Sequence, residues 1–188
     1  MAGAMLAGLR KKHPALDCHI IEPFAPAREK LAMLGVTVHE AASRAAIDGA
    51  DAVVLAVKPQ VLKEVCGQLL PCLKGELIVS IAAGTRISTL SRWLDGHARI
   101  VRTMPNTPAL IGQGITGLYA PSVVAADDVA TATVLMQSTG GVVRVESEAM
   151  IDAGPPYRAA ARRTFFTGSK RCWQRLKAWA STRAMRER

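Results

Sequence analysis

The sequence predicts an α/β protein built on a doubly wound parallel sheet, and three observations carry that reading. Short apolar stretches alternate with helical ones from residue 5 to about residue 145. Ala52-Val53-Val54-Leu55-Ala56-Val57 is a continuous apolar run, as expected of a strand covered on both faces. Two such runs end in proline-containing loops, Lys58-Pro59-Gln60 and Met104-Pro105-Asn106-Thr107-Pro108. Loops at the carboxyl ends of parallel strands are where α/β proteins bind ligands.

The elements follow in order. A helix is expected over 5–12 and a short strand over 18–21, ending at Glu22-Pro23. A helix over 27–34 is stopped by Gly35, which can take the left-handed C-cap conformation. A strand over 36–38 and a helix over 41–47 come next. After the strand over 52–57, a helix over 60–70 carries apolar residues at 61, 62, 65 and 69, which lie on one face. A strand over 77–82 is ended by Gly84. A helix over 87–94 and a strand over 99–102 follow. The helix over 123–138 has Asp127 and Asp128 in its first turns, where carboxylates favour the helix dipole. A last strand spans 141–145.

Composition bounds the function. Apolar residues make up 49% of the 188, enough for a sizeable core. No run of about 18 apolar residues offers a membrane span. The basic Arg10-Lys11-Lys12 lacks the apolar stretch that a secretory signal needs after it. A cytoplasmic location is expected. Cys18, Cys66, Cys72 and Cys172 show no metal-ligand spacing and read as reduced thiols. The formal charge of +9 suggests nucleic acid until it is located. Ten of the 24 basic residues but only one acid, Glu187, lie after residue 153. The first 153 residues therefore carry 14 bases and 14 acids and are neutral. Phe165, Phe166, Trp173 and Trp179 stand among the arginines and superficially suit base stacking. Nucleic-acid binding through this tail is one rival reading, and an unlike one.

Several stretches resemble a single family. Val54-Leu55-Ala56-Val57-Lys58-Pro59-Gln60, Ile78-Val79-Ser80-Ile81-Ala82-Ala83-Gly84 and Val101-Arg102-Thr103-Met104-Pro105-Asn106-Thr107-Pro108 carry the likeness. Gly114-Ile115-Thr116-Gly117-Leu118-Tyr119-Ala120 and Glu148-Ala149-Met150-Ile151-Asp152-Ala153 extend it. Together, in this order, they resemble pyrroline-5-carboxylate reductases over residues 1–153. The resemblance implies a Rossmann-type domain using NADP(H) or NAD(H), and reduction of the C=N bond of 1-pyrroline-5-carboxylate to L-proline. It also implies a following helical domain through which the family forms homo-oligomers. A related Rossmann dehydrogenase, of the hydroxyacid or prephenate group, is a second reading, against which the Met-Pro-Asn-Thr-Pro loop and the Ile-Asp-Ala segment argue.

The resemblance assigns cofactor contacts to Ala56, Val57, Lys58 and Pro59, to Ile81, Ala82 and Ala83, and to Asn106 near the nicotinamide. Hydride chemistry belongs to the cofactor, so the protein mainly positions two rings. Lys58 reads as facing phosphate or ribose rather than as a base. Glu22, at the end of the second strand of such a fold, is either an acceptor for the ribose 2′-hydroxyl or a solvated acid before a turn. Arg28 either answers a 2′-phosphate or decorates a helix. Ser43 stands where the family usually has an asparagine, with a shorter reach. Ala2 falls at the third small position of the family's glycine turn. No catalytic residue and no metal ligand is assigned.

Both ends depart from the family pattern. The chain opens on a helix-like Met1-Ala2-Gly3-Ala4, so the sheet is expected to lack its first strand and the leading glycines that let backbone approach a pyrophosphate. Residues 1–145 are expected to form a truncated dinucleotide-binding domain, and 146–153 the start of a connection. Residues 154–188 read as an out-of-frame tail in place of the helical domain, disordered or irregularly helical. One base added in the codon of Gly154 in a back-translation restores the family-like A-V-T-A-V-S-G-S-G-P-A-Y-F. On this reading the fragment is expected to show no measurable reductase activity.

Overall fold

The computed structural model describes residues 1–152. Residues 153–188, with the basic tail, Cys172 and the frame-shift expectation, lie outside the described residues. The chain runs α1 (Ala2–Lys12), β1 (His19–Ile21), α2 (Ala25–Ala32), β2 (Thr37–His39), α3 (Arg44–Ile47), β3 (Ala52–Leu55), α4 (Pro59–Leu69), β4 (Leu77–Ser80), α5 (Ile87–Trp93), β5 (Ile100–Met104), β6 (Gly114–Tyr119), α6 (Ala126–Gln137), β7 (Gly140–Arg144) and α7 (Glu148–Asp152). Single 3-10 turns occupy Leu70–Cys72 and Thr107–Ile111.

The strands form two ladders. β1 and β2 pair in parallel, and β3-β4-β5-β6-β7 make a five-stranded sheet. β3, β4 and β5 are mutually parallel, β6 runs antiparallel to β5, and β7 is parallel to β6. The sheet is thus parallel as expected except at the β5–β6 pair. No ladder joins β1 to β3. Their side chains nonetheless share both apolar faces. Ile20 belongs with Ala52 and Val54 in one cluster, and Ile21 with Val53 and Leu55 in the other. The first cluster is closed by Met5, Leu6 and Leu9 of α1 and by Ala132, Leu135 and Met136 of α6. The second is closed by Ile47 of α3, Leu62, Val65, Cys66 and Leu69 of α4 and Leu90 of α5. Helices on both faces explain why β3 and β4 are uninterrupted apolar runs.

Two elements differ from the pattern-based expectation for identifiable reasons. α3 is only four residues long, because Ser43 is extended (φ −149°) and its Oγ accepts from Ala46 N–H at 3.2 Å, capping the helix two residues later than its first alanine. β6 has no apolar run to announce it. Gly114 and Gly117 depress its strand propensity, but pairing on both sides overrides that. Gly114 is there for space: a Cβ on it would stand 2.6 Å from Ala109 Cα.

Cys18, Cys66 and Cys72 are buried and unpaired, and burial pushes the Cys18 and Cys66 thiols up to about 11. Neither is a nucleophile near neutral pH. No described helix is long and apolar enough to cross a membrane.

At the amino ends of the strands, charged residues tie loops together. Glu76 is buried, and its Oε1 accepts from Arg44 Nη1 at 2.6 Å while its Oε2 accepts from Lys74 N–H at 2.6 Å. Burial opposes its charge, but the Lys74 amide and the Arg44 guanidinium together hold the carboxyl below the usual glutamate range. A lowered folded-state pKa contributes stability that is complete above the unfolded value, near ~4.3, and lost as pH falls through the folded one. Urea melts from about pH 6 down to about pH 3 are expected to show this acid-side loss, and Glu76→Gln to flatten part of it. An identical pH dependence in Glu76→Gln would show that the contact contributes nothing.

Candidate dinucleotide site

Because β3, β4 and β5 are adjacent and parallel, their carboxyl ends open on one edge of the sheet. The loop after β3 is Ala56-Val57-Lys58. Val57 turns into the core, whereas Lys58 is exposed in an extended conformation at the N-cap of α4. Pro59 opens that helix, where its missing N–H costs nothing. The loop after β4 is tied to its neighbour: Ile81 N–H donates to Leu55 O at 3.1 Å. Ser80 Oγ accepts from Ala82 N–H at 3.3 Å, and Thr103 Oγ1 donates to Ser80 O at 3.0 Å. Ala82 is therefore buried and Ala83 exposed at the rim, before Gly84 turns the chain with φ +74°.

After β5, Asn106 is half-buried, and its Oδ1 accepts from Ile115 N–H of β6 at 2.9 Å. Its backbone carbonyl accepts from Ala109 N–H at 3.0 Å, and the 3-10 turn that follows is closed by Gly112 at φ +74°. With Oδ1 committed, the side-chain NH2 is the group Asn106 can present to a ligand. The structure thus brings Ala56, Val57, Lys58, Pro59, Ile81, Ala82, Ala83 and Asn106 to one edge. Small or backbone-rich loops held by a fixed frame suit close approach by a flat, polar ligand.

The other three residues named from the sequence lie on other segments. Ala2 is buried in the first turn of α1. Ser43 is exposed past β2, its Oγ serving as the α3 cap. Glu22 is fully buried, with Oε1 accepting from Phe24 N–H at 3.0 Å and its own N–H donating to His39 O at 2.9 Å. The reading of Glu22 as a solvated acid is corrected, since none of it is exposed. Arg28 is tied to the same turn, its Nη1 donating to Glu22 O at 3.1 Å and Pro23 O at 2.6 Å, with Glu40 3.5 Å from Nη2.

Sequence reasoning missed the supports. Ser80 and Thr103 hold two loops in register, and Ile115 N–H orients Asn106. The signal was present in two hydroxyl residues placed inside apolar strand runs, where a buried hydroxyl needs a partner.

Parallel strands with helices on both faces and ligand-type loops at their carboxyl edge define a Rossmann-type domain. Comparison with known proteins agrees. Residues 1–84 match the family model described as NADP oxidoreductase coenzyme F420-dependent. The chain is 43% identical over 167 residues to pyrroline-5-carboxylate reductase of Pseudomonas aeruginosa, covering 84% of this chain and 61% of that one. Among solved structures, the pyrroline-5-carboxylate reductase of Coxiella burnetii superposes with a TM-score of 0.74 at 31% identity, over 85% of this chain and 63% of that one. The Plasmodium falciparum pyrroline carboxylate reductase, solved with NADP bound, gives 0.55 at 26% identity, over 66% and 50%. The chain belongs to the pyrroline-5-carboxylate reductase family, which comprises NAD(P)-dependent oxidoreductases. It spans less than two thirds of the length of these relatives.

Proposed function

We propose that this chain is the dinucleotide-binding part of a pyrroline-5-carboxylate reductase. It holds NADP(H) or NAD(H) along the carboxyl edge of β3, β4 and β5 for reduction of the C=N bond of 1-pyrroline-5-carboxylate to L-proline. The single observation that carries the reading is the convergence of three family-type loops on that edge. Ala56-Val57-Lys58-Pro59 and Ile81-Ala82-Ala83 line the dinucleotide, Lys58 offering its ammonium to phosphate or ribose. Asn106 offers its NH2 to the nicotinamide end. When bound, the cofactor supplies the hydride, while the protein orients the rings and limits water. Residues 1–145 act as the dinucleotide domain, with 146–153 leading out of it; substrate binding and homo-oligomer formation belong to the assembled family enzyme. Glu22 and Ser43 are the groups offered to the adenosine ribose, and Ala2 contributes only a small surface at the start of α1.

Asn106→Ala removes one neutral hydrogen bond to the ligand. It is expected to weaken NADPH binding by roughly three- to tenfold in a fluorescence titration. Unchanged affinity in both Asn106→Ala and Lys58→Ala would sink this placement of the cofactor.

A further inference from the structure

Arg102 lies in the middle of β5 and is 1% exposed, the largest of the fully buried side chains among the described residues. It shares a sheet face with Ile100 and Met104, on the side covered by α5 and α7. Its Nη1 donates to Glu148 Oε1 at 3.1 Å and its Nη2 to Asp152 Oδ1 at 2.6 Å. Both acceptors belong to α7, one at each end of its five residues. The carboxylates have second partners on the segment leading into α5. Glu148 Oε1 accepts from Ile87 N–H at 2.7 Å, and Asp152 Oδ2 lies 3.2 Å from Arg86 Nη2. The Arg102 Nε–H is buried without a partner among the described residues.

A guanidinium in a sheet interior with one donor unpaired is costly. Packing alone does not require it, since a leucine would fill the place. Nor does α7 have much else to hold it: Ile151 is its one buried residue, set against Val145 with Met104, Ile115, Tyr119 and Val143 around it. A five-residue helix has no intrinsic stability to contribute.

We propose that Arg102 is a positioning residue: with Glu148, Asp152 and Arg86 it forms a charge lock that docks α7 onto β5. The lock fixes where α7 sits against the sheet. Because β5 carries Arg102 and Met104 and ends two residues before Asn106, and Ile151 packs at Met104, α7 and the Asn106 loop become one rigid unit. Removing either carboxylate lets α7 lift while the sheet stays folded. The Arg102 guanidinium, donating to Asp152, also holds that carboxyl below the usual aspartate range, consistent with a contact that needs the charge. The inference stands apart from the cofactor reading, because its test contains no ligand.

The experiment uses the full chain with Cys172→Ser and Ile151→Cys, placing a thiol on the buried face of α7. Labelling by a thiol reagent, mapped by mass spectrometry, then reports α7 lifting at position 151 and core opening at Cys66, on the fully buried face of α4. Glu148→Gln with Asp152→Asn, and separately Arg102→Met, are expected to speed labelling at 151 by roughly tenfold or more, leaving Cys66 unchanged. Arg102→Lys is expected to fall between. If Arg102→Met fails to fold, the carboxylate pair decides alone, since neither residue lies in the apolar core. An unchanged rate at 151 in that pair, or equal acceleration at 151 and Cys66, overturns the lock.

Discussion

Gly140→Ala is expected to cost on the order of 3 kcal/mol or more, the largest effect of any single methyl group in the described fold. Two independent penalties combine at this position. Gly140 has φ +143°, a region that side chains rarely adopt. Its added Cβ would also fall on the Gly114 carbonyl, with Gly114 N only 2.6 Å away. Both clashing groups are backbone of the paired strand, since Gly114 and Gly140 are register partners at the start of the β6–β7 ladder. Relief therefore requires the ladder itself to shift. Equilibrium urea unfolding measures the loss, and a change under about 0.5 kcal/mol would mean that the β6–β7 junction is not as tight as described.

Gly8→Val is expected to cost nearly as much, about 2–3 kcal/mol, by pushing α1 off the sheet. A Cβ at Gly8 would meet the Ser138 carbonyl, whose carbon would stand 2.8 Å away. Ser138 is pinned as the C-cap of α6, and Lys12 Nζ donates to the neighbouring Gln137 O at 2.6 Å. The two helices thus approach through Gly8 and through a lysine capping the free carbonyls of α6. α1 brings Met5, Leu6 and Leu9 to the face shared by both ladders. Lifting it uncovers Ile20 and Val54 together, so β1 and β3 are expected to lose protection in amide exchange before β4 does. Loss confined to residues 2–12 would contradict that coupling.

How much of this was legible depends on what each residue's environment demands. β3 and β4 were readable because burial on both faces forces an unbroken apolar run, as in Val53-Val54-Leu55 and Ile78-Val79. The carboxyl-edge loops were readable because proline and glycine mark their turns. β6 was not, since its two glycines carry no periodicity and Gly114 answers a close backbone contact. α7 was too short to show a helical period. Arg102 looked like one letter of a motif; only the structure shows it buried against two carboxylates some 50 residues away in sequence. Of the two alternatives for Glu22, the solvated acid fails, because a sequence does not show which way a turn folds its acid. No ladder joins β1 to β3, and only the shared clusters show what holds the two ladders together.

The central claim is that the carboxyl edge of β3, β4 and β5 is the cofactor surface. Backbone amide NMR of the isotope-labelled chain, titrated with NADPH into the millimolar range, tests it most directly and tolerates weak binding. The account predicts saturable shifts at Ala56, Val57 and Lys58, at Ile81, Ala82 and Ala83, and at Asn106, with little change at the opposite edge around Gly75 and Glu76. Saturable shifts confined to that opposite edge, or none at the three loops, would contradict it.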